Sequence, residues 1–214
     1  MVLEEVGSTQ DLALQEASVR TPVVVVAHRQ TAGRGRAGAG WDTAPRAVAV
    51  SVAFRPMTAA TPLSLVAGVA ARRVLGERVS LKWPNDVLLG DDKVAGILLE
   101  GHGDLVVAGM GLNLFWPDPP PEVGALFAED PGAETGPALA EAWAATMLDL
   151  IQNPQWPRDE YLAACSSLGA DLVWEPSGRG RAVDVAVDGS LVVLTDEGEV
   201  RLSSGAVRHV RRQR

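Results

Sequence analysis

Lys82 and Lys93 stand eleven residues apart in the stretch KWPNDVLLGDDKVAGILLE, and the chain contains no other lysine. Lysine and arginine together number 19, so the remaining 17 cations are arginines. An ammonium is a compact point charge that enters narrow sites and shifts its pKa when buried, which a guanidinium does not do. Asparagine is almost as scarce, with Asn85, Asn113 and Asn153, and Asn85 lies beside Asp86 between the two lysines. Lys82, Asn85, Asp86 and Lys93 therefore form a candidate site whose chemistry is a positioned, compact positive charge. The plainer alternative is a pair of solvated charges flanking a hairpin.

A second candidate follows the apolar run TPVVVVA, from His28 through Gln30, Gly33, Arg34, Gly35 and Arg36 to Trp41. Its GRGRAG, Gly33 to Gly38, matches the glycine spacing of a dinucleotide fingerprint. That fingerprint also requires a helix opening at once and an acid about twenty residues on. Here Ala39, Gly40, Trp41 and Pro45 follow, and no acid occurs between Asp42 and Glu77, so the dinucleotide reading fails. What remains is a glycine-rich loop carrying Arg34 and Arg36, with Arg29 and Arg46 near and Asp42 the one acid from Arg29 to Arg46. Glycine N–H groups and guanidinium forks order well around an anion. A mobile, solvated loop is the alternative.

These residues need elements to hold them. Val79 to Lys82 is extended before Trp83-Pro84, because the residue before proline avoids helix. Val87 to Leu89 and Val94 to Leu99, joined by Gly90-Asp91-Asp92, predict a hairpin. Gly96, isolated in the return strand, marks a close approach to the backbone. Ser8 or Thr9 caps a helix that carries Leu12, Leu14 and Ala17 on its apolar side, and its N-terminus presents free N–H groups. Thr21 to Ala27 predicts a buried central strand, and Arg46 to Arg55 and Leu105 to Leu114 two more, the last carrying Asn113 as a polar contact or a turn former. Thr61 as cap and Pro62 as first residue open a helix to Leu75. Pro117 to Pro137 reads as loop, and Ala138 to Gln152 and Asp159 to Leu168 as helices, with Trp143, Trp156 and Tyr161 in the core. From Asp171 to Val210 the chain is strand-rich, with tight turns at Asp188-Gly189 and Glu197-Gly198, giving a barrel or meander too small to stand alone. The basic tail, Arg208 to Arg214, reads as solvated.

The 214 residues, 47% hydrophobic and 21% charged, suit one large domain and a small appendage. A single cysteine, Cys165, excludes a disulfide framework, and the three histidines show no metal-ligand spacing. No apolar run reaches membrane-spanning length and the N-terminus has no signal-peptide pattern, so a cytoplasmic protein is expected. A net charge of −8 argues against general nucleic-acid binding.

Taken in order, Ser8-Thr9, QTAGRGR with the following Trp41, KWPND, KVAGILLE and GMGLN resemble the biotin protein ligase family over the whole chain. The resemblance implies an α+β fold, a mixed sheet with packed helices as in class II aminoacyl-tRNA synthetases, and a small SH3-like C-terminal barrel. It implies domains over 1–170 and 171–214. It implies that biotin and MgATP give biotinoyl-5′-AMP, and that biotin then passes to one lysine of a biotin carboxyl carrier protein. Carried over by position, Ser8, Thr9, Gln10, Gln30, Arg34, Gly35, Arg36, Lys93 and Gly96 would line the biotin site. Gly33, Arg36, Trp41, Lys82, Asn85, Asp86 and Asn113 would face ATP or the adenylate. Lys82 and Arg36 would stabilise charge developing on the phosphates, and closure of residues 33–41 would shield the adenylate from water. The resemblance leaves the metal ligands unassigned, and either a monomer or a homodimer satisfies it.

Gln10 stands where asparagine is commoner in that family, and Ala37 and Ala39 replace residues that are often basic or bulky. Only seven residues precede Ser8, so the DNA-binding domain of the repressor-type members is expected to be absent. Two alternatives compete: a lipoate or octanoate ligase or transferase of the same fold, and a non-catalytic biotin- or nucleotide-binding module, which would not need Lys82.

Overall fold

The computed structural model describes residues 1–38, 40–41, 43–57, 62–203 and 207–209. Ala39, Asp42, the Thr61 cap and the tail from Val210 onward lie outside the described residues. The larger sheet is built from β1 (Val2–Val6), β2 (Val23–Gln30), β3 (Arg46–Phe54), β4 (Val79–Lys82), β5 (Asp86–Leu89), β6 (Asp92–His102) and β7 (Leu105–Phe115). Its order is β1-β2-β3-β7-β6-β5-β4, with β1 parallel to β2 and every other pair antiparallel. The mixed sheet and the helices on it are the α+β architecture expected from the sequence.

Strand alternation divides the sheet into two faces. One buries Val23, Val25, Ala53 and Val107 against Ala13 and Ala17 of α1 (Thr9–Ala17). The other buries Val26, Val50, Val52, Met110 and Leu112 beneath α2 (Leu63–Leu75) and α3 (Thr135–Leu150). Ala67, Gly68, Ala70 and Ala71 give α2 a small-residue surface, and Trp143 of α3 reaches it, its indole N–H donating to Ala67 O at 3.0 Å. Removing such an indole from water is worth roughly 4–6 kcal/mol of gross hydrophobic free energy.

The second sheet comprises β8 (Asp171–Trp174), β9 (Gly178–Val185), β10 (Leu191–Thr195), β11 (Gly198–Leu202) and β12 (Val207–His209), all antiparallel, in the order β11-β10-β9-β8-β12. This small SH3-like unit shares its core with the main sheet, since Leu172, Ala182, Val185, Leu191, Val193 and Val207 belong to the same apolar cluster as Trp83 and Tyr161.

Several boundaries differ from the sequence reading. Strand β1 was not foreseen; its side chains alternate poorly, and what makes it a strand is the backbone of β2 beside it. Strand β2 lies one from the sheet edge rather than at its centre, and it runs through His28 to Gln30, the start of the expected loop. Pro62 occupies the cap position of α2, not its first turn. Helix α3 starts at Thr135, three residues before Ala138, because a proline in the first turn removes no helical hydrogen bond. Helix α4 (Arg158–Ala164) stops four residues short of Leu168. There Cys165 turns extended and bridges Leu81 in parallel, so pairing with β4 ends the helix.

Candidate active site

A cavity of about 350 Å³ opens on the α1 face of the larger sheet, at the low end of the range for small-molecule sites. Its lining crosses β3 (Ala49 to Ser51), β7 (Gly109 to Gly111) and β6 (Gly96 to Leu98), then reaches Lys82 to Asp86 at β4 and β5. Four strand spacings separate β3 from β4, roughly 19 Å. Glycines make the floor: Gly96 and Gly111 are register partners on adjacent strands, and the Trp41 ring rests on both. A Cβ on Gly96 would lie 2.7 Å from Trp41 Cζ3. The close approach read from Gly96 in the sequence is therefore the indole of Trp41.

One end of the cavity is lined by uncharged hydroxyls and amides, and its one lining cation, Arg34, is paired with carboxylates. Thr9 N and Oγ1 both donate to Gln30 Oε1, at 2.8 and 3.0 Å, and Thr9 Oγ1 lies 2.8 Å from Ser51 Oγ. Ser8 caps α1, its hydroxyl accepting from Asp11 N at 3.5 Å. Gln10 Nε2 donates to Glu100 Oε2 at 3.1 Å, while its buried Oε1 has no partner among the described residues. Arg34 forks onto Asp11 at 2.9 and 2.7 Å and reaches Glu100 at 3.4 Å. That guanidinium holds the Asp11 carboxyl below the usual carboxylate range. Arg34 thus ties the glycine loop to the first turn of α1.

The other end is cationic. Lys93 Nζ pairs with Asp86 Oδ1 at 2.6 Å and lies 5.3 Å from the centroid of the Trp41 ring. Arg36 Nη1 donates to Asn85 Oδ1 at 3.2 Å. Asn85 is fixed in turn, its Nδ2 donating to Ile97 O at 2.8 Å and its carbonyl accepting from Ile97 N at 2.9 Å. Residues 36–38 form a short 3₁₀ turn, Arg34 bridges Gly40, and Trp41 N donates to Gly33 O. The glycine loop is thereby folded across the cavity and latched at Asp11 and at Asn85.

Of the residues singled out in the sequence, Ser8, Thr9, Gln10, Gln30, Arg34, Gly35, Arg36, Trp41, Lys82, Asn85, Asp86, Lys93 and Gly96 meet on this one cavity. Gly33 and Asn113 do not line it. Gly33 backs the loop, facing Gln30 and Trp41. Asn113 is buried and committed, its Nδ2 donating to Gly124 O at 3.1 Å and its Oδ1 accepting from Ala44 N at 3.4 Å. Ser51 and Glu100 were missed. Ser51 carried a signal, the lone hydroxyl in the apolar run AVAVSVAF, whereas Glu100 ended a stretch read for Lys82, Asn85, Asp86, Lys93 and Gly96.

Residues 3–113 match the biotin/lipoate A/B protein ligase family, and this span holds nearly every residue of the cavity. The chain belongs to that family. It is 35% identical to the biotin–[acetyl-CoA-carboxylase] ligase of Mycobacterium tuberculosis, the alignment covering 98% of this chain and 88% of the relative. It is 36% identical to the ligase of the same name from Paracoccus denitrificans, over 70% of this chain and 73% of that one. Among solved structures, the biotin protein ligase of Aquifex aeolicus in complex with biotin and ATP superposes with a TM-score of 0.83 at 27% identity, covering 98% of both chains. For a ligase of this family, a cavity neutral at one end and cationic at the other suits a substrate that ends in a carboxylate.

Proposed function

We propose that this chain is an ATP-dependent biotin protein ligase that forms biotinoyl-5′-AMP and transfers biotin to a lysine of a biotin carboxyl carrier protein in the cytoplasm. The observation that carries the reading is the polarity of this cavity, with Thr9, Gln30 and Ser51 at the neutral end and Lys82, Lys93 and Arg36 at the cationic end. A neutral, polar head group belongs among the hydroxyls and amides of the first. The carboxylate of the same molecule then reaches the second, where the α-phosphate of ATP meets it.

A carboxylate oxygen attacks the α-phosphorus, a C(O)–O–P bond forms, and the bond to pyrophosphate breaks. Negative charge grows on the phosphate oxygens and the leaving group, and prepositioned cations in a site shielded from water stabilise it most. Lys82 and Arg36 supply that charge, and Arg36 is aimed by Asn85. Lys93, held by Asp86, faces the carboxylate tail. The neutral amine of the carrier lysine then attacks the acyl carbonyl, AMP departs, and the amide loses a proton. Gly33 and Trp41 keep the loop folded over the adenylate, and Asn113 acts from behind by holding Ala44 and Gly124.

Mg²⁺ neutralises the triphosphate when it is bound. Among the described residues no cluster of three His, Cys, Asp or Glu side chains could cage a metal, and among them Asp86 is the one carboxylate lining the cavity. This donor set fits an ion carried chiefly by the phosphates and water. Residues 1–170 form the catalytic unit and residues 171–214 the SH3-like unit.

The test is exchange of labelled pyrophosphate into ATP. Exchange that requires biotin and Mg²⁺ and falls at least about a hundredfold in Lys82→Ala establishes adenylate formation. Exchange with lipoate or octanoate in place of biotin would move the substrate to the other branch of the family.

A further inference from the structure

The backbone on either side of Lys82 is gripped from behind the cavity. Leu81 O accepts from Ser166 N at 2.9 Å and from Ser166 Oγ at 3.2 Å. Trp83 N donates to Ser167 Oγ at 3.0 Å, and Ser167 is fully buried. The Ser167 hydroxyl lies 3.0 Å from His209 Nε2, on β12, and Val207 of the same strand lines the cavity. Leu81 and Trp83 are buried in the core, so strand alternation sends the Lys82 side chain to the cavity. No described residue hydrogen-bonds or pairs with its ammonium. The backbone at 81 and 83 is therefore what aims Lys82.

We propose that Ser167 and His209 are positioning residues for Lys82. Neutral His209 accepts the Ser167 hydroxyl proton at Nε2, Ser167 Oγ accepts the Trp83 N–H, and this chain holds β4 where the ammonium meets the developing phosphate charge. The proposal rests on the ligase reading above. It gives the SH3-like sheet a part in adenylation through one side chain.

The neutral form is the one the surroundings favour. Burial pushes the His209 imidazole below its ordinary 6.5, Lys82 on β4 pushes the same way, and Asp91 and Asp86 around β5 pull against them. Protonation turns Nε2 into a donor, leaves the Ser167 proton without its acceptor, and sets a second cation in the field of Lys82. Turnover should therefore fall on the acid side.

Biotin-dependent pyrophosphate exchange measured from about pH 5 to about pH 8.5 tests this across the range where an imidazole titrates. The unmodified protein should show an acid limb with its midpoint below 6.5. At pH 8, His209→Ala and Ser167→Ala should each lower kcat about tenfold, the scale of one lost hydrogen bond in a preorganised site, with the Kd for biotin by calorimetry within about twofold. His209→Gln offers an amide oxygen that accepts the Ser167 proton without titrating, so it should recover most of the rate and lack the limb. Melting curves on the same samples identify a variant that fails to fold, and His209→Gln keeps the idea testable if His209→Ala does. An acid limb retained in His209→Gln would overturn the proposal. So would an unchanged kcat in a folded His209→Ala, or a loss of biotin affinity as large as the loss of kcat. Absence of biotin-dependent exchange in the unmodified protein would overturn the ligase reading, and this proposal with it.

Discussion

The indole of Trp41 lies directly on Gly111: a Cβ built there would stand 2.8 Å from Cε2 and 2.9 Å from Nε1. An aromatic ring cannot bend away from such a contact, so Gly111→Ala should push Trp41 off the floor and lift the loop that carries Arg34 and Arg36. Biotin affinity should fall about tenfold or more by calorimetry, while thermal stability drops by only about 1 kcal/mol because the displaced ring has solvent to move into. Native affinity in Gly111→Ala would show that Trp41 is not part of the closed site.

Lys93 and Asp86 form a half-buried pair, with side-chain exposures of 32% and 21% and a 2.6 Å separation. Such a pair stands between the surface case, worth under about 1 kcal/mol, and the buried case. Asp86→Asn should cost about 1–2 kcal/mol in urea denaturation, and a double-mutant cycle with Lys93→Ala should return a coupling of about 1 kcal/mol. Zero coupling would assign Asp86 to ligand contacts alone.

Trp143 joins α3 to α2 through packing and through its bond to Ala67 O. Trp143→Phe keeps most of the apolar surface and loses the N–H, so a loss of about 1–2 kcal/mol is expected. Trp143→Ala also opens a cavity and should cost about 3–5 kcal/mol. Equal losses in the two variants would mean that the hydrogen bond, not the packing, dominates.

Burial pushes the Cys165 thiol above its ordinary 9.0 and the Tyr161 phenol well above 10.0. The unfolded chain releases these protons first, so the native state binds more protons above about pH 9 and stability must fall as pH rises. The melting temperature should decline from about pH 8.5 upward, and Cys165→Ala should remove the earlier part of that decline. A flat profile to about pH 10.5 would mean that neither group stays protonated in the fold.

Much of the site was legible in advance because its residue types are rare or conformationally special. Two lysines among 19 cations, an isolated strand glycine and an arginine-bearing glycine run each carry local information. They pointed to Lys82, Lys93, Gly96, Arg34 and Arg36, and all five line one cavity. Strands that are nearly continuous apolar runs, β2 and β3 above all, were equally plain. Strand β1 and the end of α4 were not, since each is decided by the backbone beside it, β2 in one case and Leu81 in the other.

Local chemistry in the sequence, then, determined which residues were available for catalysis and that hairpins, helices and a strand-rich C-terminal segment would carry them. The tertiary structure decided their company. Asn113 looked like Asn85 in the sequence, but a bridging pair of hydrogen bonds withdraws it from the cavity, while Asn85 turns its oxygen toward Arg36. Ser167 and His209, separated from Lys82 by 85 and 127 positions in the chain, come to stand behind it. Hydrogen bonds of that kind depend on sheet order and on how two sheets share a core, and neither is encoded in spacing along the chain.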